Sequence, residues 1–416
     1  MMRAAVAKVG VHRVVLALSC ARLGDAIGNS LLFVVIPPYV AQLPSTGFPF
    51  SETIRVGILI SAYGFFGACG EPLSGSMIDR LGHHKLMVQL GLAIMAASLL
   101  AYIPASRYLW LLALRGVQGI GLAITVPATL ALMATVTRTE TRGRAMGFYS
   151  SSRMVGIALG PIIGGFVQVH FGFTATFFVG AGCIALAVLL VQLFVVEPRR
   201  AAPERPERAP DQPSFFDRRI WSAGITTSAI AMMAMASAFS VMATLEKQFD
   251  EMLGIDAFLF AIALSSSTVS RLLCQVPLGW LSDRHGRRPI IIGGLLLLIP
   301  AIALQGWSTS LWQVVVLRIV QGIASAGVAA PAFALAADET RSGGQGRQLS
   351  ITTVGFSLGL AVGPLLGGFL VGYFFALPFV MVAVLCLVAA WLVYRYAPET
   401  VDVARTPLYR RSPKSE

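Results

Sequence analysis

Charge is what this 416-residue chain has least of: Asp, Glu, Lys and Arg together supply 12% of it, against about 25% in a soluble globular protein. With so few ionic groups and 56% hydrophobic residues, the chain cannot wrap a core in a water-facing surface. A mean hydropathy of +0.74 excludes a soluble architecture. Cysteine is scarce as well. Its five copies (Cys20, Cys69, Cys183, Cys274, Cys386) all fall inside apolar stretches and read as small buried packing residues, which implies no disulfide or metal framework. No G-x-x-x-x-G-K-[ST] phosphate loop, Ser/His/Asp set or metal-ligand cluster is present. Neither an enzyme nor direct use of ATP is expected, and no cofactor. A cleavable signal peptide is not expected either, since the first apolar stretch begins near Val11 and runs far beyond a signal core.

What the chain does have is length in apolar runs. They read as 12–42, 53–78, 86–104, 108–136, 145–169, 173–196, 220–245, 255–281, 289–306, 309–337, 348–371 and 373–396. Each is long enough to cross a ~30 Å hydrocarbon layer as a helix. The fold class expected is therefore all-α integral membrane, with 12 transmembrane helices in two pseudo-symmetric six-helix bundles. Residues 1–196 form the first bundle, 197–219 a Pro- and Arg-rich linker that cannot bury apolar area, 220–396 the second bundle, and 397–416 a tail.

The net charge of +12 is explained by topology. Of 32 Lys and Arg residues, 24 lie on the termini and the even-to-odd connections, and three (Arg55, Arg107, Lys247) on the other side. The remaining five (Arg22, Arg115, Arg153, Arg271, Arg318) lie within apolar segments. By the positive-inside rule both termini, the linker and the tail are expected in the cytoplasm, and the protein in the cell's inner membrane. The basic residues imply no nucleic-acid partner.

Internal repetition sets the architecture. GSMIDRLGHHK from Gly75 returns as GWLSDRHGRRP from Gly279, 204 residues on; LRGVQGIG from Leu114 and GIALGPIIGGF from Gly156 return 203 residues on, at Leu317 and Gly359. Two homologous halves in parallel orientation are one known way of building a transporter. With these motifs in these segments, G-x-x-x-D-R-x-G-R-R, R-x-x-Q-G and G-x-x-x-G-P-x-x-G-G, the chain resembles the major facilitator superfamily over essentially its whole length. More narrowly, it resembles the twelve-helix drug:proton antiporter branch.

Each motif also has its own physics. In Gly75, Asp79, Arg80, Gly82 and again in Gly279, Asp283, Arg284, Gly286, a carboxylate ends one helix and glycine permits the turn into the next. The resemblance makes this a latch that holds the cytoplasmic helix ends together; the alternative is a solvated loop that only fixes topology. His83 and His84 depart from the usual basic pair, which implies a weaker or pH-sensitive copy. The stretches with Gly156, Gly160, Pro161, Gly164, Gly165 and with Gly359, Gly363, Pro364, Gly367, Gly368 clear side chains from one helix face. They allow close packing and a bend. In the resembled family the fifth-helix copy marks exporters.

Ionisable residues inside a bilayer are costly and are kept mainly for pathways and relays. Asp25 in the middle of the first segment, Glu71 in the second and Arg115 in the fourth are the proton-coupling candidates; by the resemblance, Arg115 tunes proton exchange. The alternatives are a permanent ion pair of Asp25 with Arg22 or Arg115, and a packed Glu71 with no transport role. Asn29, Gln118, Met235, Phe239, Arg271 and Gln275 are candidates for a substrate cavity, or else ordinary core or lipid-facing positions. Glu246 is expected to be a solvated charge at the membrane rim. The resemblance then implies a monomeric secondary transporter in the lipid bilayer, driven by a proton gradient, that effluxes lipophilic or cationic small molecules by rocker-switch alternating access. A dedicated metabolite, sugar or lipid exporter is the second reading, and a non-transporting receptor or scaffold the third.

Overall fold

Backbone groups in hydrocarbon must be paired within their own segment, and helices are how a chain of this composition does so. A computed structural model describes residues 2–44, 49–81, 83–137, 139–195, 221–340 and 345–401, with the helical side chains of 2–12, 75–76, 78–81, 134, 139–144 and 345–349 outside the described set. The linker at 197–219 and the tail from 402 onward also lie outside it. The first half comprises α1 (Met2–Ser30, resuming after Leu31 as Leu32–Ala41), α2 (Glu52–Leu81), α3 (His84–Ala101), α4 (Tyr108–Val136) and a helical run over Thr139–Phe194. That run breaks at Gly172, where φ is +81°, a conformation glycine adopts without strain. The break separates α5 (139–171) from α6 (173–194). The second half comprises α7 (Ala223–Ser240), α8 (Ala257–His285), α9 (Arg287–Ala303), α10 (Leu311–Asp338), α11 (Gln345–Leu370) and α12 (Leu377–Tyr396). Among the described residues eleven apolar helical stretches are long enough to span, and the break at Gly172 makes them the twelve crossings expected. The first crossing is interrupted at Leu31, and Pro37 and Pro38 lie within its second segment.

Each half has its own core. Leu18, Leu92, Met95, Tyr102, Phe177 and Ile184 belong to the first, and Met232, Phe249, Phe260, Leu298 and Phe379 to the second. Phe33 of α1 packs against both. The cysteines divide: Cys386 is buried, but Cys20 and Cys69 are exposed. The expectation that all five are buried packing residues therefore fails for these two.

Because lipid is as apolar as leucine, helices in a membrane associate through close van der Waals contact and hydrogen bonds. The repeated glycine stretches supply that contact. A methyl group at Gly156 would lie 2.6 Å from the Leu23 carbonyl oxygen of α1, and one at Gly164 2.8 Å from the Leu31 side chain. Gly359 and Gly363 occupy the same place against Ala236 and Ser237 of α7. The last glycine of each stretch faces the other way, across the two halves. Gly165 of α5 meets the Ala257 carbonyl of α8, and Gly368 of α11 meets the Thr53 carbonyl and Gly57 of α2. The halves thus touch along α5 with α8 and α2 with α11. Ser61 of α2 donates to the Ala361 carbonyl at 2.6 Å on the second of these seams.

Candidate functional site

On α1, Arg22, Asp25, Asn29 and Phe33 recur every three or four residues and so share one helix face. That face looks into a cavity between the halves, bounded by Tyr63 of α2, Arg115 of α4, Phe239 of α7 and Phe356 of α11. Asp25 is 2% exposed. One of its oxygens is ion-paired with the Arg22 guanidinium, and the other accepts from Asn29 Nδ2 at 2.7 Å. Arg22 also lies over the Tyr149 ring at 5.9 Å. On the side away from the termini, Phe33 and Phe239 meet edge-to-face with centroids 6.1 Å apart, closing the cavity between α1 and α7.

Arg115 stands 5.6 Å from the centre of the Tyr63 ring and donates to Gln118 Oε1 at 3.2 Å. Gln118 is fully buried behind it and also accepts from the Tyr102 hydroxyl at 3.3 Å. Glu71 is not at the cavity wall. Its carboxylate accepts from Ser357 Oγ of α11 at 3.0 Å, joining the two halves on the α2–α11 seam. A neighbouring cavity is lined by Arg153, Ser267, Thr268, Arg271 and Phe356. Arg153 borders both cavities, with its guanidinium 5.4 Å from the Phe356 ring centre.

The structure therefore brings Asp25, Asn29, Arg115 and Phe239 together and places Arg271 next door. Three candidates fall elsewhere. Met235 is 1% exposed within the core of the second half, Gln118 supports Arg115 from behind, and Gln275 lies one turn beyond Arg271, outside the described linings. The two adjoining cavities are rich in positive charge: Arg22, Arg115 and Arg153 line the first with Asp25, Arg153 and Arg271 line the second, and Glu71 lines neither. Tyr63, Phe33 and Phe356 carried no signal, because an aromatic residue in a uniformly apolar helix does not reveal which way it faces.

Of the two latch copies, the first has Gly75, Asp79 and Arg80 in the last turns of α2 with their side chains outside the described set, and Gly82 lies outside the described residues. In the second copy, Asp283 is ion-paired with Arg287 rather than Arg284. Arg284 instead stacks on Trp280, 3.4 Å from its ring centre. Arg287 also reaches Asp338 at the end of α10 at 3.2 Å, and Glu399 accepts from the backbone N–H groups of Arg287 and Arg288 at 2.9 and 3.1 Å. Gly286, at φ +104°, makes the turn, and Gly279 faces Ala330 of α10. The cluster ties α8, α9, α10 and the end of α12 to one another, all within the second half.

At the opposite end a short helix, Glu246–Leu253, lies across the seam. Lys247 is ion-paired with Glu52 of α2 at 2.9 Å, and Gln248 donates to Thr53 at 3.0 Å. Lys247 is held above its ordinary pKa chiefly by that hydrogen bond to Glu52. Glu246, expected to be solvated, is 6% exposed. Burial, aided by the charges of Asp250, Glu52 and Asp256 and opposed by Lys247, pushes its carboxyl up to about 7.

The sequence model of the Major Facilitator Superfamily matches residues 18–252 and again 225–414. The chain is 28% identical over 337 residues to the uncharacterized MFS-type transporter YuxJ of Bacillus subtilis strain 168, covering 79% of this chain and 82% of that one. It is 26% identical over 383 residues to the multidrug resistance protein MdtG of Escherichia fergusonii, covering 91% and 92%. Among solved structures, the inward-facing, unoccupied form of a bacterial homologue of the human lysosomal transporter Spinster superposes with a TM-score of 0.76 at 18% identity, covering 93% of this chain and 97% of that one. The twelve crossings, the duplicated motifs at their seams and these matches have one explanation: the chain belongs to the Major Facilitator Superfamily.

Proposed function

We propose that this protein is a secondary active transporter that exports lipophilic small molecules in exchange for protons, by rocking its two halves about the cavity between them. The observation that carries this reading is the position of Asp25, the acid in the described cavity linings. It is buried, it faces the space where a substrate would sit, and its two oxygens are held by groups of its own helix. A carboxylate so placed can take up a proton in one state and release it in the other while α1 stays intact. The glycine contacts of α5 with α8 and α2 with α11 supply the joints for the rocking motion.

The likeness to MdtG, a protein named for multidrug resistance, supports export of drug-like compounds. A preference for cations is not carried forward, because the cavity is lined by arginines. The asymmetry of the basic residues supports cytoplasmic termini and an inner-membrane location, and the protein is proposed to act as a monomer with the proton gradient as driver. Purified protein in proteoliposomes with an imposed pH gradient, offered a panel of dyes, cations, sugars and lipids, tests the reading. Saturable movement that collapses with the gradient is expected. Movement indifferent to the gradient would overturn proton coupling.

A further inference from the structure

Five arginines lie within the membrane-spanning helices near the middle of the protein, and the structure answers their charges unequally. Arg22 has Asp25. Arg318, fully buried, donates to the Ala263 and Leu264 carbonyls at 3.3 and 3.2 Å and to Gln321 at 3.0 Å. Arg115 has Gln118 and the face of Tyr63. Arg153 and Arg271 have neither a hydrogen bond nor an ion pair among the described residues. Arg153 lies over the Phe356 ring and otherwise meets Asp25 and Glu71 only through space, carboxylates already held by other groups. Arg271 has a buried Nε without a partner.

Four guanidiniums and one carboxylate line the two adjoining cavities, a net charge of +3. Glu71, occupied by Ser357, would reduce this to +2 at most. Arginine cannot relieve such an excess by losing its proton, and an uncompensated charge in this setting is costly. What offsets it must come from outside the chain. A guanidinium presents parallel N–H donors that match a planar or tetrahedral oxyanion.

We infer that the cavity takes molecules with an anionic headgroup (carboxylate, sulfonate or phosphate) on an apolar body, and that Arg153 and Arg271 grip that headgroup from opposite halves. Arg153 belongs to α5 and Arg271 to α8, the pair of helices that meet at Gly165 and Ala257. Ser267 and Thr268 stand beside them, and Ile157, Phe239 and Phe356 offer apolar surface for the body. A cation of the same shape would meet like charge, so the arginines select by repulsion as well as attraction. The inference rests on the transport reading for its role, but the binding site stands on its own.

The test measures binding of 2-naphthalenesulfonate, 2-naphthol and a naphthyltrimethylammonium salt to the full-length protein in phosphatidylcholine nanodiscs, and then transport of the sulfonate in proteoliposomes. The sulfonate should bind at least about tenfold more tightly than the ammonium compound. Arg153→Gln and Arg271→Gln should each weaken the sulfonate about tenfold and change naphthol less than about twofold, with Arg271→Lys recovering part of the loss. Thermal unfolding of each variant verifies folding. Preference for the ammonium compound, binding of none of the three, or equal losses for sulfonate and naphthol would overturn the inference. Arginine-dependent binding of the sulfonate without transport would leave the anion site standing and overturn the transport reading. Repeating the binding with phosphatidylglycerol present separates the sources: competition assigns the headgroup to lipid, and its absence to a free solute.

Discussion

Arg115 donates to Gln118, which Tyr102 also reaches; 203 residues later Arg318 does the same with Gln321, reached there by Gln305. Gly160 lies against Ser30 and Ile27, and Gly363 against Ser240 and Ser237, so α7 repeats α1 at an offset of 210. At that offset Arg22 corresponds to Met232, Asp25 to Met235 and Asn29 to Phe239. The comparison separates two kinds of residue. What packs helices has been kept in both halves, and what holds a titratable charge at the cavity exists in only one. Met232 and Met235, each 1% exposed in the core of the second half, show that the α7 position accepts an apolar pair of similar size.

The sharpest way to break this comparison is to make the first half like the second. The double change Arg22→Met with Asp25→Met should abolish gradient-driven export. It should leave stability within about 2 kcal/mol, because exchanging a buried pair for well-packed apolar residues is often neutral or better. Asp25→Met alone strands Arg22 and should cost about 3–5 kcal/mol. Proton-coupled transport surviving in the double variant would make Asp25 structural and move the search to Glu71.

Next in size is Arg318→Met. It should lower stability by about 2–3 kcal/mol, for the loss of several charge-assisted bonds, and leave the pH dependence of transport where it was. Thermal unfolding and a pH profile read the two effects. A displaced profile would mean that the second half shares in proton handling after all.

The glycines sharpen the comparison further. Gly165→Ala and Gly368→Ala press on the seams and should disfavour the closed contact by about 1–3 kcal/mol, shifting the population between states. Gly182→Ala, with nothing within 4 Å of the added methyl, should not. Distances between spin labels across the seams report it.

The smallest effect concerns the end of the protein away from the termini. Glu246 is pushed up to about 7 while buried beside Asp250, Glu52, Asp256 and Lys247, and would return toward about 4.3 on exposure. The closed arrangement therefore binds the proton more tightly. Its advantage is complete below the exposed value and is lost as pH rises through about 7. Labels near Ser51 and Glu251 should move apart more readily at pH 8 than at pH 5, and Glu246→Gln should flatten that dependence.

The twelve spans were legible because hydrocarbon imposes length and apolarity on every crossing, and α4 begins and ends where its apolar run does. Asp25 and Arg115 were legible because a charge in an apolar segment is conspicuous. The burial of Glu246 was not, since an eight-residue polar helix lying over a seam looks like any connection. Nor was the kinship of Asp25 with Met235. Between matching positions the chain from α1 to α2 is longer than that from α7 to α8, so this one helix pair stands at an offset of 210 while the later motifs stand at 203 or 204. Only contacts in space restore the correspondence. Arg153 was visible as a charge, but its facing Arg271 across a shared cavity depends on how α5 meets α8.

The cluster around Gly286 has a practical consequence. Glu399 receives the first two backbone N–H groups of α9 from 112 and 111 residues away, acting as a remote cap whose negative charge suits a helix N-terminus. Thr400 adds a bond to Asp338 at 2.7 Å. A chain trimmed back to Pro398, or joined to a fusion partner there, would uncap a membrane helix in the middle of the second half, whereas a junction placed after Val401 would leave that seal whole.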